Sequence, residues 1–164
     1  MDGGFAALNP VEVGAIWLHL VGTVTLLGYF TVMGILVLPV LQRLESSREL
    51  VESVAALEHR ALPLVITSLG VFLATGVYLM GNDSRYGGVG SIDSTWATVL
   101  LAKHLVVLVM VGLGLFFDAL VVRAAKAREG IDQAAQLGRI TRAAQGMTIL
   151  AAIVLLLTAV AQAG

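Results

Sequence analysis

The chain has 164 residues, of which 58% are hydrophobic and 13% charged, with a formal net charge of -1 and no cysteine. A soluble domain carries roughly 25% charged residues, so this composition and the mean hydropathy of +0.92 place the chain in a lipid bilayer. The lack of cysteine excludes disulfides, thiolate zinc sites, iron–sulfur clusters and cysteine nucleophiles, and the balanced charge offers no footprint for nucleic acid.

A bilayer core about 30 Å thick takes roughly 20 apolar residues in a helix, and four stretches are long enough. The first runs from about Val13 to Leu41 and predicts a helix over about 13–44. It has no Lys or Arg before it and is too long for the apolar region of a signal peptide. Ser46 to Glu58 reads SSRELVESVAALE, where Ser47 can cap a helix and Val51, Val54, Ala55 and Leu57 form an apolar side. The second helix is therefore expected over about 50–81, entering the bilayer for the apolar span from Ala61 to Met80. NDSRYGGVGSIDS, from Asn82 to Ser94, is a polar, glycine-rich loop. The third span runs from Trp96 to Val122, with a helix expected over about 95–128. Gly130 breaks it, Ile131 to Arg142 starts an amphipathic turn, and the fourth span, Ala143 to Ala163, completes a helix over about 132–163. The fold class is all-α: a single-domain integral membrane antiparallel four-helix bundle.

The basic residues set the expected orientation. Arg43, Arg48 and Arg60 lie between the first two spans, and Arg123, Lys126, Arg128, Arg139 and Arg142 between the last two, against Arg85 alone on the opposite side. The positive-inside rule then puts both termini and the Arg85 loop outside a cell (plasma) membrane that the chain crosses in multiple passes. Trp17 and Trp96 both fall at that outer interface, where indoles prefer to sit.

Two of the three histidines, His19 and His104, lie inside apolar runs, IWLHLVGTV and VLLAKHLVVLV. An imidazole in hydrocarbon carries a donor and an acceptor that both want partners, and ionisable groups in membrane spans tend to mark a cofactor, ion or proton site. Both are on the outer half of the bundle. If the first and third helices sit diagonally, the two imidazoles face each other across a span suited to bis-histidine ligation of a haem b iron. Gly22 and Thr23, at i+3 and i+4 from His19, give low relief beside a flat macrocycle, or pack the helix against a neighbour. Lys103 and Arg85 are candidate partners for haem propionates, with Lys103 otherwise snorkelling to headgroups. His59 is at a different depth and reads as interfacial, and Asp118 as a partner for Arg123 or Arg60. Gly70, Gly76, Gly112, Gly114 and Gly146 read as packing residues. Met33, Met80, Met110 and Met147 are scattered, and only Met80 stands near the level of His19 and His104. The leading expectation is a haem-binding membrane protein with a redox or electron-transfer role, working with a redox partner protein. Copper handling by His19 and His104, with Met80, is the alternative. A small structural subunit of a larger complex is a third reading, and homo-oligomerisation stays open.

The order of these features resembles a known family. IWLHLVGTVTLLGYFTVMGILVLPVLQRL resembles the first helix of CopD-type membrane domains, named for copper resistance. ALEHRALPLVITSLGVFLATGVYLM resembles their second, ending in a threonine-glycine pair followed by a tyrosine, and STWATVLLAKHLVVLVMVGLGLFFDALVVR their third, with a tryptophan and then a lysine about two turns on. The layout is also similar to HemJ-type protoporphyrinogen oxidases, a resemblance that implies a haem b site with a histidine on the first helix and a lysine on the third, matched here by His19 and Lys103. This chain has LPVLQRL where the oxidase pattern carries further His and Arg residues, and it adds His104 beside the lysine.

Overall fold

A computed structural model describes residues 9–44, 46–88, 94–126 and 131–163. The break expected at Gly130, Arg128 and residues 89–93 of the loop lie outside the described residues. The chain forms α1 (Pro10–Val32), a π-helical turn (Met33–Val37), α2 (Leu38–Leu44), α3 (Ser47–Asn82), α4 (Thr95–Lys126) and α5 (Ile131–Ala163). No strand occurs among the described residues. Counting α1, the π turn and α2 as one rod, four helices are long and apolar enough to cross a membrane.

Local chemistry sets the helix starts. Asn9 accepts from the Val11 N–H, with Pro10 in the first turn, where a missing N–H costs nothing. Ser46, rather than the expected Ser47, caps α3. Its hydroxyl pairs with Glu49, whose carboxylate returns to the Ser46 N–H at 3.0 Å, a reciprocal box available only when the acid stands three residues on. The π turn precedes Pro39, which has no N–H for the Ile35 carbonyl and whose ring needs room in the turn before it. Leu38 N–H accordingly bonds to the Met33 carbonyl, five residues back.

α1 packs on α3 and α5, α4 packs chiefly on α5, and α3 meets α4 along a looser seam, so α1 and α4 stand diagonally. Side-chain pairs show the antiparallel sense. His19 meets Thr75 while Tyr29 meets Glu58, and Phe30 meets Thr148. The two ends of the bundle can thus be named by His19 and by Glu58.

The core lies toward the Glu58 end, around Phe30, Leu38, Val54, Phe117, Leu120 and Ile140. Phe30 and Phe117 meet edge to face at 5.9 Å. Lipid removes most of the water-exclusion force between helices, so close contact supplies the cohesion. Gly34 shows it: a Cβ there would stand 2.9 Å from the Ala144 carbonyl oxygen, so α1 and α5 touch backbone to backbone. The outward surface is the reverse of a soluble protein's, with Val24 71% and Leu108 67% exposed, as suits helices that meet lipid. Gly70 and Gly112, expected to pack, face open space instead, whereas Gly76, Gly114 and Gly146 do meet neighbouring helices.

Candidate functional site: a cavity between four helices

His19 projects from α1 onto α3. Its ring stacks on Phe72 at 4.5 Å between centroids. Gly76 leaves the ring its seat, since a Cβ there would stand 3.2 Å from His19 Cε1. Nδ1 lies 3.0 Å from Thr75 Oγ1 and 3.2 Å from the Phe72 carbonyl. The Thr75 hydroxyl already donates to the Val71 carbonyl at 2.6 Å. Both neighbours of Nδ1 therefore accept, which assigns the proton to Nδ1 and leaves a lone pair on Nε2. A ring held through one nitrogen, with the other available, is how metal-ligating histidines are oriented.

The other sequence candidates fall in different places. Thr23 donates to the His19 carbonyl at 2.7 Å and lines the cleft below it. Gly22 is buried against α3, and a Cβ there would stand 3.1 Å from the Ser68 carbonyl, so it serves helix packing. Lys103 is half-buried on α4. His104, the next residue, points about 100° away around the helix. It is exposed on the outer face, with Nδ1 tied to the Leu100 carbonyl at 2.7 Å. The helices are diagonal as the bis-histidine arrangement needs, but Lys103 is the half-buried residue and His104 the exposed one, so the structure does not bring the two imidazoles together. Arg85 is occupied at the surface: it bonds Asp83 at 3.1 Å and covers the Trp96 ring at 4.8 Å. Asp83 is correspondingly held below its ordinary carboxyl pKa, first by the hydrogen bond from Arg85. His59 is exposed on α3. Asp118 makes no ion pair with Arg123 or Arg60 among the described residues.

Asp118 instead faces a cavity of about 170 Å³ bounded by α1, α3, α4 and α5. Thr23 and Phe72 line it toward the His19 end, Met110 lies between, and Met147, Glu58 and Asp118 lie toward the other end. Glu58 is only 7% exposed, and its carboxylate accepts a hydrogen bond from Tyr29. Sequence reading missed Phe72, Tyr29 and Glu58, and that Met110 and Met147 line one cavity. The threonine-glycine pair it noted, Thr75–Gly76, turns out to be the seat of His19.

The residues present do not fit a bis-histidine haem. One imidazole faces lipid, and the cavity is smaller than the roughly 300–1,000 Å³ pockets that hold drug-sized ligands. The cavity wall itself carries the Thr23 hydroxyl, the thioethers of Met110 and Met147 and the carboxyls of Glu58 and Asp118, with His19 packed on Phe72 beside it. No group of three or more His, Cys, Asp or Glu side chains converges among the described residues, so a tight resident site built from those types is not formed.

Searches among curated proteins and among solved structures return no match. A family model, copper resistance protein D, matches residues 60–161. That stretch takes in most of α3, all of α4 and nearly all of α5, with Thr75–Gly76, Lys103, Met110, Asp118 and Met147. The chain belongs to the copper resistance protein D (CopD) family.

Proposed function

We propose that this protein handles copper as a cargo ion inside the membrane, with His19 as a donor beside the cavity bounded by α1, α3, α4 and α5. The observation that carries this reading is the fixed His19 ring, whose Nδ1 is held by Thr75 and Phe72 while Nε2 keeps its lone pair. Membership of the CopD family makes copper the metal to consider. An ion leaving water for hydrocarbon needs replacement ligands along its way, and the cavity beside His19 offers thioethers and carboxyls. The basic asymmetry of the connecting segments supports placing the His19 end, and both termini, outside the plasma membrane. Copper entry into proteoliposomes loaded with a chelator tests this. We expect flux above that of protein-free vesicles, reduced in His19→Ala. Flux equal to the protein-free control would overturn the proposal.

A further inference from the structure

We infer that the cavity admits a single-chain amphiphile with an ammonium head from the bilayer, its chain lying between α3 and α4 and its head against Glu58 and Asp118; this goes beyond the copper-handling reading and does not rest on it. Three observations carry the inference. First, the cavity is long and thin. Its α3 wall runs from Glu58 through Leu62, Val65 and Leu69 to Phe72, residues spaced to share one face of the helix. From Glu58 to Phe72 is about 21 Å at 1.5 Å per residue. A volume of about 170 Å³ spread over that length suits one unbranched chain rather than a ring system or paired acyl chains.

Second, the cavity opens sideways. Ile66 on α3 and Leu115 on α4 both line it, yet they are 59% and 70% exposed, and they flank the looser seam between those two helices. Both belong to helices long and apolar enough to cross a membrane. The opening therefore meets bilayer hydrocarbon and whatever is dissolved in it.

Third, the carboxyls are gathered at one end. Tyr29 donates to Glu58, and its neighbour Phe30 meets Phe117 edge to face. Asp118, next to Phe117, thus stands at the level of Glu58, and both carboxyls line the cavity. Glu58 is only 7% exposed. Among the described residues no Lys or Arg lines this cavity. A carboxylate withdrawn from water calls for a paired cation. An alkylammonium supplies that charge with three donors, while its chain covers the apolar wall. An alcohol of the same length leaves the carboxylates uncompensated, and a fatty acid adds a like charge.

The test uses the full chain in phosphatidylcholine nanodiscs with dodecylammonium, dodecanol and dodecanoate, each carrying a photoreactive diazirine at mid-chain. Mass spectrometry maps the crosslinks, normalised to labelling of the surrounding lipid. The ammonium probe should label the cavity walls of α3 and α4 at least about tenfold more than either other probe, the low end of what a hydrogen bond to a charged group contributes. Glu58→Gln/Asp118→Asn keeps an acceptor for Tyr29 and removes both charges, so ammonium labelling should fall to the alcohol's level. Val111→Phe narrows the cavity partway along α4 and should abolish wall labelling by all three probes. Circular dichroism and size-exclusion check that both variants fold; in the wild type, excess unlabelled dodecylamine should suppress the labelling and dodecanoate should not. Equal labelling by the ammonium and carboxylate probes overturns the proposal. So does a preference that survives removal of both charges, or labelling confined to outward residues such as Leu108.

Discussion

Replacing Tyr29 by Phe removes the donor to a carboxyl that is almost wholly enclosed within the bundle. Glu58 is 7% exposed, and the Tyr29 hydroxyl is its one hydrogen-bond donor among the described residues. A buried acceptor left without a partner costs about 1–3 kcal/mol in soluble proteins. Interhelical hydrogen bonds in membranes are weaker on average, about 0.6 kcal/mol, with a maximum near 1.7. A carboxyl acceptor belongs toward the top of that range, so Tyr29→Phe should cost about 1–2 kcal/mol. Glu58→Leu leaves the tyrosine hydroxyl without its acceptor and should cost a similar amount. The double variant removes both polar groups at once, a change that is nearly neutral for the pair. A double-mutant cycle should therefore show a coupling of about 2–4 kcal/mol, since the double variant incurs neither single loss. Helix melting in detergent, followed by circular dichroism, measures it. At about 2–4 °C per kcal/mol for a chain of this size, each single variant lowers Tm by a few degrees. Strict additivity of the two changes would refute the reasoning, because it would mean that Tyr29 and Glu58 do not support each other.

Gly34→Ala should destabilise by about 1–3 kcal/mol, since the new methyl meets the Ala144 backbone at 2.9 Å and neither helix can yield cheaply. Gly112→Ala, which faces open space, should stay within about 0.5 kcal/mol of wild type by the same melting assay. At the loop, Asp83 is held below its ordinary carboxyl pKa of 3.8, first by its hydrogen bond from Arg85. A depressed folded-state value contributes stability that is present above 3.8 and is lost as pH falls through that lower value. Trp96 lies under Arg85, so its fluorescence in a Trp17→Phe background should change in that acid window, and Arg85→Ala should abolish the change.

The four spans are legible because apolar length has one dominant physical use, crossing hydrocarbon. The rotation of each helix about its axis is not legible. In a soluble helix the polar face reveals which side is buried, but α4 is apolar all round, so nothing in VLLAKHLVVLV tells whether Lys103 or His104 faces inward. That choice depends on how α4 seats against α5, and it decided the fate of the expected histidine pair. That Met110 and Met147 line one cavity was hidden for a related reason: they lie on different helices, and no spacing in the chain records how two helices face each other. The cap of α3 is a different case. The sequence held the signal, because Glu49 stands three residues after Ser46 and not after Ser47. The π turn combines Gly34 and Pro39 in a way that local propensity does not specify. His19 was visible as an ionisable residue among apolar ones, but Phe72, Thr75 and Gly76, which fix its ring, come from a helix more than fifty residues away.

The central claim is that copper is held through His19, by the nitrogen that Thr75 and Phe72 leave available, and not through a pair of imidazoles. Copper bound per protein, measured on wild type, His19→Ala and His104→Ala purified under reductant, tests it most directly. The account expects copper to stay with the wild type and with His104→Ala, and to be lost from His19→Ala. Copper retained by His19→Ala and lost from His104→Ala would contradict it.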